Sequence, residues 1–122
     1  MTLLENNYLN IKMNVVKVKI KTIAFQEGNS FIVYCPALDI SGYGDSVQDA
    51  QESFETSLEI YLEFATENGT LSEDLLNHGW TLSRYPVTLY SPPAIDDSNE
   101  SIKKIVGAHS YQVLEESIAL PA

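Results

Sequence analysis

Carboxylates are the most numerous candidates for chemistry in this sequence, and they are concentrated in its middle. Ten acidic residues and no basic one lie between Asp39 and Asp74, in a chain of formal net charge −10. Carboxylates that converge from strands and a helix can hold the metal ions of a nuclease. Here the strand acids are few, and the helical acids are spaced as a stripe along one surface. We therefore expect no catalytic residue, no metal site and no cofactor.

The other reactive side chains indicate structural roles. Cys35 closes a predicted strand before Pro36, which is typical of a small buried thiol. His78 lies at the predicted C-terminus of a short helix, where a cationic side chain is favoured. His109 lies in a predicted loop, with no Cys or acid at metal-ligand spacing. Trp80 is predicted to anchor the core rather than to stack on a ligand.

Three strands are predicted to precede the acidic segment. Residues 15–25 alternate strictly in type, and such a period of two with β-branched residues indicates a strand. A turn over 27–30 leads to a second strand at 31–35, and 40–44 predicts a third. Two faces of the first strand are distinguished by their residue types. The apolar face comprises Val16, Val18, Ile20 and Ala24, and the basic face Lys17, Lys19 and Lys21.

The acids are carried by a long amphipathic helix. Ser46 is a favourable N-cap, and Asp49 three residues later completes a capping-box pattern. Asn68-Gly69 marks the end of the helix. An apolar stripe recurs at helical spacing and is predicted to face the sheet. Its members are Val47, Ala50, Phe54, Leu58, Tyr61, Leu62 and Ala65.

The order of elements predicts an α+β fold, in which a small antiparallel sheet of three to four strands packs on one main amphipathic helix, with an extended C-terminal tail. We predict one α+β domain over residues 13–90, with Met13 as an alternative start, and a tail over 91–122. Within the tail, 96–101 is predicted as a loop or tether, and 102–106 is ambiguous between helix and strand. Residues 111–120 are predicted to be extended, with Leu114, Glu116, Ile118 and Leu120 on one side. The tail is expected to add a strand to a partner or to a second copy by edge pairing.

The acidic helix lacks compensating charge. Glu52, Glu55, Glu59 and Glu63 fall three or four residues apart on a face beside the apolar stripe, with no Lys or Arg at i+3 or i+4. Like charges at this spacing cost roughly 0.2 to 0.5 kcal/mol per pair. A basic protein would relieve the repulsion and be steered to this face, whereas a nucleic-acid backbone would be repelled. The alternative interpretation is that the acidity only keeps the protein soluble.

The composition and the distribution of apolar residues indicate the compartment in which the protein acts. The sequence has one cysteine, which excludes an intrachain disulfide and fits a reducing cytosol. A run of about 20 apolar residues, as a membrane span needs, is absent, and the N-terminus does not have the pattern of a secretory signal. We therefore expect a cytoplasmic protein.

The strand, glycine turn and helix start over residues 31–50 form a recognisable pattern. It consists of Phe31-Ile-Val-Tyr-Cys-Pro-Ala-Leu, then Gly42, then Gly44-Asp45-Ser46-Val47 and Asp49-Ala50. An aromatic-rich strand that ends in proline, a glycine turn and a Gly-Asp-Ser cap that opens an acidic-alanine helix resemble the HicB antitoxin family. The resemblance covers roughly residues 15–64.

The resemblance implies a fold, a partner and a mechanism. The fold is a degenerate RNase H-like sheet packed on one helix. The partner is a small basic HicA-type toxin, an mRNA-cleaving ribonuclease, which the antitoxin occludes without chemistry of its own. Six residues are the expected partner-binding set: Tyr43, Asp45, Glu52, Glu55, Glu59 and Glu63.

Departures from the family pattern leave alternatives open. Residues 38–41 read Leu-Asp-Ile-Ser where family members often carry Leu-Pro-Gly. Many members end in a DNA-binding module, but only Arg84, Lys103 and Lys104 are basic after Trp80. We therefore do not carry DNA binding over to this chain. A solitary HicB-like adaptor or structural homo-oligomer without a toxin is the main alternative, and a relic nuclease is a third.

Overall fold

A computed structural model describes residues 15–94 and 99–122 of the chain. The predicted start at Met13 lies outside these residues. Six strands and three helices are present in the described ranges. They are β1 (Val15–Glu27), β2 (Ser30–Cys35), β3 (Ile40–Gly44), α1 (Val47–Glu67), α2 (Leu71–Asn77), β4 (Thr81–Ser83), β5 (Leu89–Ser91), α3 (Glu100–Ala108) and β6 (Tyr111–Pro121).

The main sheet has four strands in the order β3-β2-β1-β6, and every neighbouring pair is antiparallel. A tight turn at Gly28 joins β1 to β2, and β4 pairs with β5 in a separate small hairpin. This sheet packs against α1, so the predicted α+β architecture is confirmed. None of the helices in the described part of the chain has both the length and the apolar character that crossing a bilayer requires.

Helix α1 lies directly on β2 and β3. Ser46 caps it as predicted, because its Oγ accepts a hydrogen bond from the backbone N–H of Asp49 at 3.0 Å. The apolar stripe faces the sheet, with Ala50, Phe54, Leu58 and Ala65 buried and Val47, Tyr61 and Leu62 packed at its margin. Gly42 permits the close approach: a Cβ there would lie 2.2 Å from the backbone nitrogen of Phe54.

The opposite face of the sheet is covered at one end by α3. Ile102 and Ile105 of α3 pack in a second buried cluster, whose other members come from β1 and β2 and are Ile23, Phe25, Ile32 and Tyr34. The rest of this face carries Lys17, Lys19 and Lys21, which are exposed as predicted. The sheet is therefore covered by α1 on one face and partly by α3 on the other.

The segment predicted as a tail belongs to the same sheet. Part of the predicted loop, residues 96–98, lies outside the described residues, and Asn99 caps α3 by accepting from the N–H of Ser101 at 2.8 Å. The ambiguous stretch over 102–106 is helical. Strand β6 is extended as predicted, but it pairs with β1 along its length, from Tyr111 opposite Phe25 to Pro121 opposite Val15. Strand β6, which follows the predicted boundary after residue 90, is therefore the fourth strand of the main sheet.

Candidate functional site

The four predicted glutamates of α1 are all exposed, on a face of the helix beside the apolar stripe. Two ion pairs are found within the described ranges, Lys19 with Glu115 and His109 with Glu27, each at 4.0 Å. Neither involves a glutamate of α1. The stripe Glu52, Glu55, Glu59 and Glu63, called the acidic face below, is therefore not neutralised by any described cation.

A groove runs between the acidic face and β6. It has a volume of about 480 Å³, and its walls include Glu52, Glu55 and Glu59 of α1 and Ser117 and Ala119 of β6. Strand β6 is the last strand of the sheet in the described part of the chain, so the groove opens toward a free edge.

The side chain of Glu116 lies on the α1 side of β6, where the other residues of the strand from 114 to 120 are apolar. Its atom Oε2 is buried and has no hydrogen-bond partner among the described residues. The pKa of Glu116 is raised to about 7, chiefly by burial and in addition by the neighbouring Glu55 carboxylate, while the Gln51 amide acts in the opposite direction. The sequence pattern predicts that Glu116 lies on this side of the strand, but Glu116 was not among the predicted site residues. It could have been recognised, because it is the one carboxylate among the apolar residues at positions 114, 118 and 120.

Glu116→Gln is expected to change how stability depends on pH. The folded pKa of about 7 lies above the ordinary 4.5. Folding is therefore favoured by the bound proton below pH 4.5, and this stabilisation is lost as the pH rises through 7. Because solvent screens this partly exposed group, we expect a loss of about 1 kcal/mol rather than the full effect of the shift.

Urea unfolding at pH 4.5 and at about pH 8 tests this expectation. Wild-type protein should lose stability relative to Glu116→Gln between the two conditions. Glu115→Gln, on the exposed face of the same strand, is the matched control and should not reproduce the change. Parallel behaviour of wild type and Glu116→Gln at both values would show that Glu116 titrates normally.

Tyr43 and Asp45 do not join the acidic face. Tyr43 is 61% exposed on β3, and its side chain lies on the other face of the sheet from α1. There it lines a separate groove of about 300 Å³ together with Tyr34, Lys104 and His109. Asp45 is exposed in the connection that leads to the N-cap of α1. The predicted binding set is therefore divided between the two faces of the sheet.

The residues with predicted structural roles hold such positions. Cys35 is fully buried, and burial raises the pKa of its thiol to about 11, so the thiolate is suppressed at neutral pH. His78 is the C-cap of α2, with Nδ1 2.7 Å from the carbonyl oxygen of Asp74. Trp80 is a buried core residue.

His109 was predicted in a loop, and it is the C-cap of α3. Its ring centroid lies 4.9 Å from that of Phe25. Within residues 15–94 and 99–122, no cluster of three or more His, Cys, Asp or Glu side chains is arranged to hold a metal ion.

The main surface features of the described residues are the acidic face, the groove beside β6 and the edge of that strand, which no described strand covers. Comparison of the chain with protein-family models, with curated proteins and with solved structures finds no match.

Proposed function

We propose that the protein is a non-catalytic binding protein of the HicB antitoxin type, which covers the RNA-binding site of a small basic HicA-type ribonuclease. The observation that supports this most is the acidic face, a row of four exposed glutamates that no described cation neutralises. Since the proposed partner cleaves mRNA, binding would take place in the cytosol, where the single cysteine stays reduced.

The charge of α1 favours a cationic partner over solvent alone. Each like-charged pair three or four residues apart destabilises the helix by roughly 0.2 to 0.5 kcal/mol. A partner that supplies Lys or Arg side chains would remove this repulsion, and the net charge of −10 would steer its approach. Because the acids are exposed, this contribution acts mainly on the rate of association and depends strongly on salt.

Two exposed apolar side chains of α1 add contact area at one end of the acidic face, where Ile60 lies one turn from Glu63. Ile60 and Phe64 are 62% and 66% exposed, and they lie one turn apart on the flank of α1. Exposed large apolar residues next to charged ones are typical of a protein interface. The two side chains also favour the second candidate function, a structural homo-oligomer without a toxin, in which two copies bury this flank against each other.

Neutralising the acidic face is expected to weaken binding of a purified HicA-type ribonuclease. The test variant is Glu55→Gln/Glu59→Gln/Glu63→Gln, measured by inhibition of RNA cleavage and by association rate at low and high salt. We expect association to slow by about tenfold or more at low salt and the difference to shrink at high salt. The matched control, Glu27→Gln/Glu73→Gln/Glu100→Gln, removes the same charge from other surfaces and should associate nearly as fast as wild type.

Two results would contradict the proposal. Equal slowing by the test and control variants would assign the effect to net charge rather than to the acidic face. If wild-type protein leaves ribonuclease activity unchanged and sediments as a homo-oligomer that Ile60→Ser/Phe64→Ser disrupts, the second candidate function is favoured instead.

A further inference from the structure

The direction of the backbone groups in β6 can be followed across the sheet. The N–H of Tyr43 donates to Oγ of Ser53 in α1 at 3.2 Å, so it points away from β2. In antiparallel sheets successive residues direct their N–H and C=O groups to alternate sides. The registers of the β3-β2, β2-β1 and β1-β6 pairs carry this alternation across the sheet. The backbone N–H and C=O groups of the even-numbered residues of β6 therefore point toward β1. The outward groups therefore belong to odd-numbered residues, which include Val113, Glu115, Ser117 and Ala119.

The end of β6 agrees with this assignment. Pro121, which is odd-numbered, has no N–H to offer, and its carbonyl oxygen accepts a hydrogen bond from the hydroxyl of Tyr90 rather than from β1. Among the described backbone hydrogen bonds outside the sheet ladders and helices, none involves residues 111–121. Strand β6 thus presents a row of backbone donors and acceptors that can pair with another strand.

The two sides of this edge differ in chemistry. On the α1 side lie the groove with Glu52, Glu55 and Glu59 and the partly buried carboxylate of Glu116, whose Oε2 is buried. On the other side Tyr111 and Val113 are each half-exposed. A strand added here would direct alternate side chains to each side. Basic side chains would fit the α1 side, and apolar side chains would fit the other.

A second copy of the chain fits this edge poorly. Two-fold antiparallel pairing of β6 with β6 would place both α1 helices on the same face of the joined sheet. The Glu52, Glu55 and Glu59 side chains of the two copies would then face each other across the joint, with Glu116 of each copy beneath them. Like charges in such proximity disfavour pairing.

We propose that the β6 edge binds an extended segment of the protein's partner as an added strand, with Lys or Arg at every second position directed into the groove under α1. This inference rests on the proposed function, because it describes how a basic partner would engage the acidic face.

A synthetic peptide that carries only the proposed strand pattern tests this mode of binding. The probe has eleven residues, the length of β6, with lysine and valine alternating, blocked ends and a fluorescent label. Its binding to the full chain is followed by anisotropy at low and high salt. One control peptide has the same composition in two blocks, and the other carries N-methyl groups on the alternate amides that would face β6.

Two protein variants separate backbone pairing from charge. Ser117→Pro removes an outward N–H and leaves the ladder with β1 intact, so its far-UV circular dichroism and urea midpoint should stay close to wild type. We expect it to weaken peptide binding by about tenfold, and we expect Glu52→Gln/Glu55→Gln/Glu59→Gln to do the same at low salt. Both control peptides should bind far less than the alternating one. If Ser117→Pro does not fold, the N-methylated peptide decides the question by itself.

Three other results would each contradict a different part of the proposal. If the N-methylated and block peptides bind like the alternating one while the glutamine variant binds all three weakly, strand addition is wrong and the acidic face still stands. If the glutamine variant binds normally but Ser117→Pro does not, the basic strand is wrong and the proposed function loses its electrostatic support. If the protein alone sediments as a dimer that Ser117→Pro dissociates, a second copy is the occupant and the inference is overturned.

Discussion

Replacing Gly42 with alanine is expected to lower the free energy of unfolding by about 3 kcal/mol or more, at the upper end of the cost of overpacking. The added Cβ would lie 2.2 Å from the backbone nitrogen of Phe54 and 2.3 Å from the backbone oxygen of Ala50. Both atoms belong to the main chain of α1, so no side-chain rotation can relieve the overlap, and the helix must move off the sheet. Urea unfolding followed by circular dichroism measures the loss.

Gly107→Ala is the matched control for this substitution. Gly107 lies in α3, and a Cβ at this position would meet no atom of the described residues within 4 Å outside the backbone of its own helix. Alanine is a better helix former than glycine, so we expect stabilisation by up to about 1 kcal/mol. The same replacement of glycine by alanine should therefore lower the free energy of unfolding at position 42 and raise it at position 107. A Gly42→Ala protein as stable as wild type would show that α1 does not approach β3 as closely as described.

Trp80→Ala is the second substitution with a large expected effect, a loss of about 3 to 5 kcal/mol. The side chain is only 2% exposed, and its Nε1–H donates to the carbonyl oxygen of Ala37 at 2.7 Å. Trp80 thereby joins the start of β4 to the turn after β2, and its removal leaves both a cavity and an unpaired carbonyl.

Trp80→Phe separates these two contributions. Phenylalanine keeps most of the apolar contact but leaves the Ala37 carbonyl without its donor, which costs about 1 to 3 kcal/mol. Comparison of the urea midpoints of the two variants measures the packing contribution. Equal losses would assign the whole effect to the hydrogen bond, and two unchanged midpoints would contradict the burial of Trp80.

The strands and helices in which buried residues recur at a regular spacing along the sequence could be predicted. The alternation in β1 and the stripe of α1 each identify a buried face from neighbouring residues alone, and the structure confirms both. Ser46 was predictable for the same reason, because its partner, the N–H of Asp49, is only three residues away. The exposure of the glutamates of α1 follows directly from the stripe, because they lie outside it.

Contacts between distant segments were not predictable from such patterns. The pairing of β1 with β6 joins residues about a hundred positions apart, as Val15 and Pro121 show, and no local period encodes that choice of partner. The packing of Ile102 and Ile105 on the second face of the sheet has the same character. A helix of nine residues gives too short a pattern to be distinguished from a strand.

The division of the candidate site has a local cause in β3. Gly42 and Gly44 contact α1, so the residue between them must point to the other face of the strand. Tyr43 was included in the predicted binding set because it is close in sequence to the helical glutamates. The alternation of side chains along a strand, applied to β3 as it is to β1, places Tyr43 on the face of the sheet opposite to α1.

The hydrogen bond from Tyr43 to Ser53 bears on how copies of the chain can assemble. A fibre of edge-paired molecules needs two receptive edges on every copy, one to accept the previous molecule and one to offer to the next. At the β3 edge Ser53 already occupies an outward donor, so an incoming strand would have to displace the hydroxyl. Pairing through β6 alone stops after one addition, so an open-ended fibre built on the two edge strands of the described sheet would have to displace Ser53 at every joint.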